Sequence, residues 1–123
     1  MTTFSVSSGV TTLDNDSVLG TSGTTDRVTL LGEGGGASLS SIESVLGSTG
    51  TSDHVVLLDS SATTLLMNAV ESVVGSSADG DVVRLLSSTN TSVSAIETVL
   101  GSTGSDTVSL LAAGTLNVSS VES

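Results

Sequence analysis

The sequence contains no cysteine, proline or lysine, and its only aromatic residue is Phe4. The absence of cysteine excludes disulfide bonds. Because aromatic anchors are missing, the core has to be built from valine, leucine and isoleucine, which favours regular columns over irregular packing. No apolar run approaches the roughly 20 residues that span a bilayer, and the first residues lack the basic and apolar stretches of a secretory signal. We therefore expect a chain that does not insert into membranes.

Basic residues are also scarce. Arg27 and Arg84 stand against 13 Asp and Glu residues, so the formal net charge is −11. This charge argues against nucleic acid and anionic membranes as partners. His54 is the only histidine, which leaves neither a histidine cluster for zinc nor a supported Ser-His-Asp arrangement. We expect no enzymatic activity and no required cofactor.

Nearly every residue belongs to an internal repeat. An acidic residue, then Ser or Thr, two aliphatic residues and glycine occur together four times, and a fifth copy starts near the end of the chain. The acidic residue recurs at intervals of roughly 25 to 28 positions, and a period of this length is typical of solenoids, in which each repeat packs on its neighbours. The five acidic residues are Asp16, Glu43, Glu71, Glu97 and Glu122.

Each repeat consists of three segments in which apolar residues alternate with other residues. The first segment begins with the acidic residue, and a glycine turn leads to the second segment, which begins with Asp and carries apolar residues two and four positions later. The third segment is shorter. Period-two alternation predicts β-strands, and a strand for every segment predicts an all-β, parallel β-solenoid with three strands per coil. About 4.5 coils would make a body roughly 20 Å long, with the right-handed connections usual for parallel strands.

These segments predict one solenoid domain over residues 1–123. Its coils are expected at approximately 15–41, 42–69, 70–95 and 96–120, with partial coils at 1–14 and 121–123. Neither end shows a polar capping repeat, so we expect uncapped ends that present unpaired backbone and apolar side chains to another copy. The residues expected at this stacking interface are Phe4, Val6, Val10, Leu13, Leu110, Leu116, Val118 and Val121.

Residues 101–109, with the sequence GSTGSDTVS, carry a resemblance to a known family. They resemble the nonapeptide of RTX repeats, a bacterial secreted family whose glycine and aspartate turns bind calcium in a parallel β-roll. Gly101, Gly104, Asp106 and Val108 match the pattern, whereas Ser replaces its second glycine. The units at 20–29, 47–56 and 75–84 are similar, with one residue inserted before the Asp. In the family two nonapeptides form one coil, whereas this sequence has one such turn in each repeat.

The resemblance implies calcium along a single edge, held by one aspartate of each turn together with turn carbonyls. The alternative is that each aspartate caps its turn by accepting hydrogen bonds from backbone amides. The sequence leaves both interpretations open. The aspartates are Asp26, Asp53, Asp81 and Asp106.

The acidic residues of the first segments would form a ladder at about 4.8 Å spacing if equivalent segments stacked in register. Like charges at that spacing repel each other. Bound cations, protonation or turn amides could relieve the repulsion, and the sequence does not choose among them.

The repeat, the open ends and the lack of a catalytic constellation lead to one principal functional hypothesis. The chain is expected to be a structural subunit that stacks head to tail into an extracellular or cell-surface bacterial filament, with itself as the partner. The alternative is a calcium-binding, RTX-like segment of a larger secreted adhesin or exported protein. An ice-binding solenoid is a weaker hypothesis, because Ser and Thr form no regular Thr-x-Thr pattern.

Overall fold

The computed structural model describes residues 3–5, 10–12, 16–31, 34–112 and 114–122, with the backbone alone for the first two ranges. These residues form fourteen short β-strands and contain no helix, and so none that could cross a bilayer. The strands are β1 (Thr3–Ser5), β2 (Val10–Thr12), β3 (Asp16–Leu19), β4 (Arg27–Leu30), β5 (Gly36–Ser40), β6 (Ser44–Leu46), β7 (His54–Leu57), β8 (Thr64–Asn68), β9 (Ser72–Val74), β10 (Val82–Leu85), β11 (Asn90–Ser94), β12 (Thr98–Leu100), β13 (Thr107–Leu110) and β14 (Asn117–Ser119).

The strands form two parallel sheets, and the chain alternates between them. The odd sheet has the order β1-β3-β5-β7-β9-β11-β13, and the even sheet has the order β2-β4-β6-β8-β10-β12-β14. Each coil therefore contains two strands, and the six steps along each sheet give a body about 29 Å long at about 4.8 Å per step. The parallel β-solenoid is confirmed. The prediction of three strands per coil and about 4.5 coils was wrong.

One sequence repeat corresponds to one and a half coils, because it has three strands and a coil has two. Val55, for example, pairs with Val73, which lies less than one repeat further along the chain. Equivalent segments of successive repeats therefore fall on opposite sheets. First segments form β3, β6, β9 and β12; second segments form β4, β7, β10 and β13; and third segments form β5, β8, β11 and β14.

The alternation within each segment sends one set of side chains into a dry space between the two sheets. In the second segments of β4, β7 and β10 the apolar residues two and four positions after the Asp are buried, as in Val55 and Leu57. The third segments supply facing columns such as Leu65 and Met67. Thr91 occupies the position equivalent to Leu65, and its buried hydroxyl has no hydrogen-bond partner among the described residues. In the part of the chain whose side chains are described, the core is thus aliphatic, and one buried polar side-chain atom is left unsatisfied.

The corner after each third segment has a left-handed backbone. Ser41, Ala69, Ala95 and Ser120 have φ between 50° and 55°, although none is glycine. The next residue is Ile or Val, which turns into the core, as Ile42 and Val70 do. This corner carries the chain from one sheet to the other, as between β5 and β6, and it is a feature that the alternation of apolar residues does not reveal.

Candidate functional site

The best-developed polar structure of the chain lies at the corners that precede the second segments. Asp53 is fully buried, and both of its carboxylate oxygens accept hydrogen bonds. The backbone N–H of Ser48 donates to Oδ2, and the Ser48 hydroxyl donates to Oδ1 at 3.0 Å. The N–H of Gly35, one coil earlier, also donates to Oδ1, at 2.8 Å. Asp53 therefore holds its own turn and ties it to the preceding coil.

The other three aspartates are buried in the same kind of corner. Asp81 accepts from the N–H of Ser76 at 2.7 Å and from the N–H of Thr63, one coil earlier, at 2.8 Å. Asp106 accepts from the N–H groups of Ser102 and Thr89. Asp26 accepts from the N–H and the hydroxyl of Thr21. Side-chain capping of the turn is thus repeated at all four positions.

A glutamate of the following coil completes each corner. The N–H of Asp53 donates to Oε2 of Glu71 at 2.9 Å, and that of Asp81 donates to Oε2 of Glu97 at 2.8 Å. Glu43 and Glu122 accept from the N–H groups of Asp26 and Asp106 in the same way. At Asp53, Asp81 and Asp106 the corner is a three-coil unit in which an amide, an aspartate and a glutamate follow one another along the solenoid axis, and at Asp26 the aspartate and the glutamate of this unit are described. We call this unit the carboxylate clasp.

The clasps alternate between the two sheets, as the strands do. Asp26 and Asp81 precede strands of the even sheet, whereas Asp53 and Asp106 precede strands of the odd sheet. The four aspartates do not share the single edge expected from the RTX resemblance. Within one sheet, two of them are separated by three coils, about 14 Å.

The expected acidic ladder does not form, for the same reason. Glu43 aligns with Leu65 in the next coil, and Glu71 aligns with Thr91, as the register of the flanking strands shows. Asp16 pairs with Ala37. No described acidic residue of a first segment therefore has another such residue in an adjacent coil, and turn amides are the groups that the glutamates contact.

The clasps are a poor fit to calcium in this arrangement. Calcium takes six to eight oxygen ligands, whereas the aspartate oxygens here face amide N–H donors, which would have to turn away from a bound cation. Among the residues that the structure describes, no group of three or more His, Asp or Glu side chains is placed to hold a metal ion together. Calcium binding by the aspartates stays a prediction, in competition with these hydrogen bonds.

The last coil presents core positions to solvent. Leu110 is 42% exposed, although the equivalent Leu57 and Leu85 are 3% and 2% exposed. Val118 is 49% exposed, although the equivalent Met67 is fully buried. Of the other residues expected at a stacking interface, Leu116 and Val121 are partly buried against the core. For Phe4 and Val10 only the backbone strands are described, without the side chains. Val6 and Leu13 lie outside the described residues.

Sequence reasoning missed the contact between each aspartate and the next glutamate. Its signal is present in the spacing, since Glu43 follows Asp26 at nearly the same interval as Glu71 follows Asp53. That interval is one coil, whereas the repeat is longer.

No family model, curated protein sequence or solved structure matches the chain.

Proposed function

We propose that the chain is a structural subunit that assembles head to tail into an extracellular or cell-surface bacterial filament by continuing the solenoid from one copy to the next. The observation that carries this proposal is the exposure of Leu110 and Val118, which occupy core columns that are closed in every interior coil. A coil of the same kind, stacked on these residues, would cover the two exposed columns.

The backbone supports the same proposal. β13 and β14 are the last strands of their sheets, and β1 and β2 are the first. The free edge of a parallel sheet presents unpaired N–H and C=O groups that another strand can satisfy, as in β-augmentation. Copies that meet through unlike ends make a heterologous contact, which extends without closing into a ring when the rotation permits.

Negative-stain electron microscopy of the purified chain, with and without a calcium chelator, tests the proposal. We expect unbranched filaments of uniform width that survive chelation, because the strand edges and apolar columns need no metal. Particles that stay monomeric at all concentrations would refute assembly.

A matched pair of variants on β13 sharpens this test. Leu110→Asp places a charge in an exposed core column, and Ser109→Asp places the same charge on the neighbouring exposed residue of the same strand. Both sites are already open to solvent in the single chain, so neither change should unfold it. We expect Leu110→Asp to abolish filaments and Ser109→Asp to retain them. Equal effects of the two changes on filament formation would show that the exposed core columns do not form the contact between copies.

The second candidate is a calcium-stabilised, RTX-like segment of a larger secreted protein. One observation favours it, which is the length of a coil. Positions that pair between adjacent coils, such as Gly36 with His54, are 18 residues apart in the sequence, and this is the length of the two nonapeptides per coil that the resemblance implies. This candidate requires calcium to raise the melting temperature of the single chain and a chelator to unfold it. Circular dichroism melting curves with calcium and with chelator distinguish it from the filament subunit.

A further inference from the structure

We infer that the bond between Asp79 and Gly80 is a site of spontaneous isoaspartate formation, in which Glu97 accepts the amide proton. Isoaspartate arises when the backbone nitrogen of the next residue attacks the side-chain carboxyl group of an aspartate, so that the main chain is rerouted through that side chain. The only co-reactant is water. The reaction is a property of the single chain and does not depend on assembly.

The two reacting groups are accessible in the turn between β9 and β10. Asp79 and Gly80 are both exposed, and the carboxyl group of Asp79 forms no hydrogen bond with any residue that the structure describes. This carboxyl group can therefore rotate toward its own main chain. Gly80 has no Cβ to obstruct the approach of its nitrogen, and its φ of 101° is a conformation that residues with a Cβ rarely adopt.

The carboxylate of Glu97 contacts the proton that has to leave. The N–H of Gly80 donates to Oε2 of Glu97 at 2.9 Å, and the N–H of Asp81 donates to the same oxygen at 2.8 Å. In the other three clasps, among the described groups, the aspartate N–H alone donates to the glutamate. An amide nitrogen is a weak nucleophile until its proton is removed, and a carboxylate that already binds this proton can accept it during the attack.

The bonds that form and break balance with water alone. The Gly80 nitrogen bonds to the side-chain carbon of protonated Asp79 while its proton passes to Glu97, and the proton then returns to the hydroxyl group that leaves as water. The product is a cyclic imide, and Glu97 is unchanged. Water then opens the imide: attack at the former main-chain carbonyl gives isoaspartate, and attack at the former side-chain carbonyl restores aspartate.

Asp59, which precedes Ser60, provides the comparison within the same chain. Serine after aspartate is small enough to permit the same reaction. The carboxylate of Asp59 is held, however, because Oδ1 accepts from the Ser40 hydroxyl at 2.9 Å and from the Ser41 N–H at 3.0 Å. Its Oδ2 accepts from the Thr63 hydroxyl at 3.2 Å. These hydrogen bonds keep the carboxyl group away from its own main chain, so we expect Asp59 to stay intact in the folded chain.

Isoaspartate at position 79 would loosen the clasp of Asp81. It adds one carbon atom to the main chain of the turn in which the N–H and the hydroxyl of Ser76 donate to Oδ2 of Asp81, at 2.7 and 2.9 Å. The longer turn no longer places these groups together, and buried Asp81 loses hydrogen bonds. Molecules that contain isoaspartate should therefore unfold at a lower concentration of denaturant than fresh molecules.

Ageing of the folded chain tests the assignment of the site. The purified chain is kept warm at neutral pH in heavy-oxygen water and is then digested for mass spectrometry with electron-transfer fragmentation, which distinguishes isoaspartate from aspartate. We expect isoaspartate and the oxygen label at position 79 and neither at position 59. The same incubation in denaturant should label both positions, because Asp59 then loses its hydrogen bonds. No isoaspartate at position 79, or an equal rate at position 59 in the folded chain, would overturn the assignment.

Two matched variants test the role of Glu97. Glu97→Gln keeps an oxygen that can accept the hydrogen bond from Gly80 but cannot take its proton, and Glu71→Gln makes the same change in the clasp of Asp53. We expect Glu97→Gln to slow isoaspartate formation at position 79 several-fold and Glu71→Gln to leave the rate unchanged. General loosening of the fold would raise the rate in both variants. An unchanged or raised rate in Glu97→Gln would overturn the role of Glu97 as the proton acceptor.

Discussion

The carbonyl oxygen of Ala69 lies over the Cα of Gly47, only 1.5 Å from the position that a Cβ on Gly47 would occupy. The two residues are in adjacent coils, and the N–H of Gly47 donates to the carbonyl of Asn68 at 2.8 Å. The left-handed backbone of Ala69 directs its carbonyl toward Gly47 in the preceding coil, so only glycine fits at position 47. Gly20, Gly75 and Gly101 meet Ser41, Ala95 and Ser120 in the same way. The glycine that ends each first segment is therefore set by a corner one coil away.

We expect Gly47→Ala to destabilise the chain by about 3 kcal/mol or more, because the obstructing atom is backbone and the corner must shift. Chemical unfolding followed by circular dichroism measures the loss. Gly114→Ala is the control, since a Cβ there meets nothing within 4 Å. A similar loss in both variants would contradict the steric explanation.

Replacing a left-handed corner residue with glycine should have the opposite effect. Ala69 has a φ of 52°, a conformation that costs a residue with a Cβ about 1 kcal/mol. We expect Ala69→Gly to stabilise the chain by about 0.5 kcal/mol after the larger entropy of the unfolded glycine is subtracted. Ala112→Gly, at an exposed residue outside the positive-φ set, should destabilise it slightly. Melting temperatures that fall in both variants would show that the corner is not strained.

Replacing the buried hydroxyl of Thr91 with a methyl group should raise the free energy of unfolding. Thr91→Val keeps the shape of the side chain and removes a polar atom that has no partner among the described residues. We expect stabilisation of about 1 kcal/mol in chemical unfolding. Thr64→Val makes the same change at an exposed strand position and should alter stability by less than about 0.5 kcal/mol. A destabilised Thr91→Val variant would mean that the hydroxyl is bonded in solution.

The two carboxylates of a clasp should differ in importance. Asp53→Asn replaces one of two accepting carboxylate oxygens with an NH2 group, which faces an N–H donor and cannot accept its hydrogen bond. We expect the free energy of unfolding to fall by about 2 kcal/mol. Glu71→Gln keeps an oxygen for the N–H of Asp53 and should cost under about 1 kcal/mol. Chemical unfolding of both single variants checks this order. A reversed order would mean that the glutamate, and not the aspartate, holds the corner.

Assembly should depend on ionic strength because every copy carries a formal net charge of −11. The Debye length falls from about 30 Å at 0.01 M salt to about 8 Å at 0.15 M, so repulsion between copies weakens. We expect the lowest concentration that yields filaments, measured by sedimentation, to fall as sodium chloride rises over this range. A concentration that rises with salt would point to attractive charge pairs between copies instead.

The class of fold was predictable because alternation survives in every segment, as in Val55 and Leu57. The number of strands per coil was not predictable, because the sequence repeat shows how many strands follow one another but not after how many strands the chain completes a turn. The corners after the third segments contain ordinary residues such as Ser41 and Ala69, whose left-handed backbone has no sequence signature. The aspartates did signal turns, and their amide bonds correspond to one of the two interpretations left open. Their glutamate partners were hidden because the coil is shorter than the repeat.

The mismatch between repeat and coil also constrains how such a chain can change in length. Gaining or losing one repeat would carry everything after it to the opposite side of the solenoid, because a repeat contains an odd number of strands. Two repeats together make three whole coils and leave the orientation of the following residues unchanged. Among changes made in whole repeats, the duplication or deletion of a pair is therefore the smallest that preserves which side of the molecule each following residue faces.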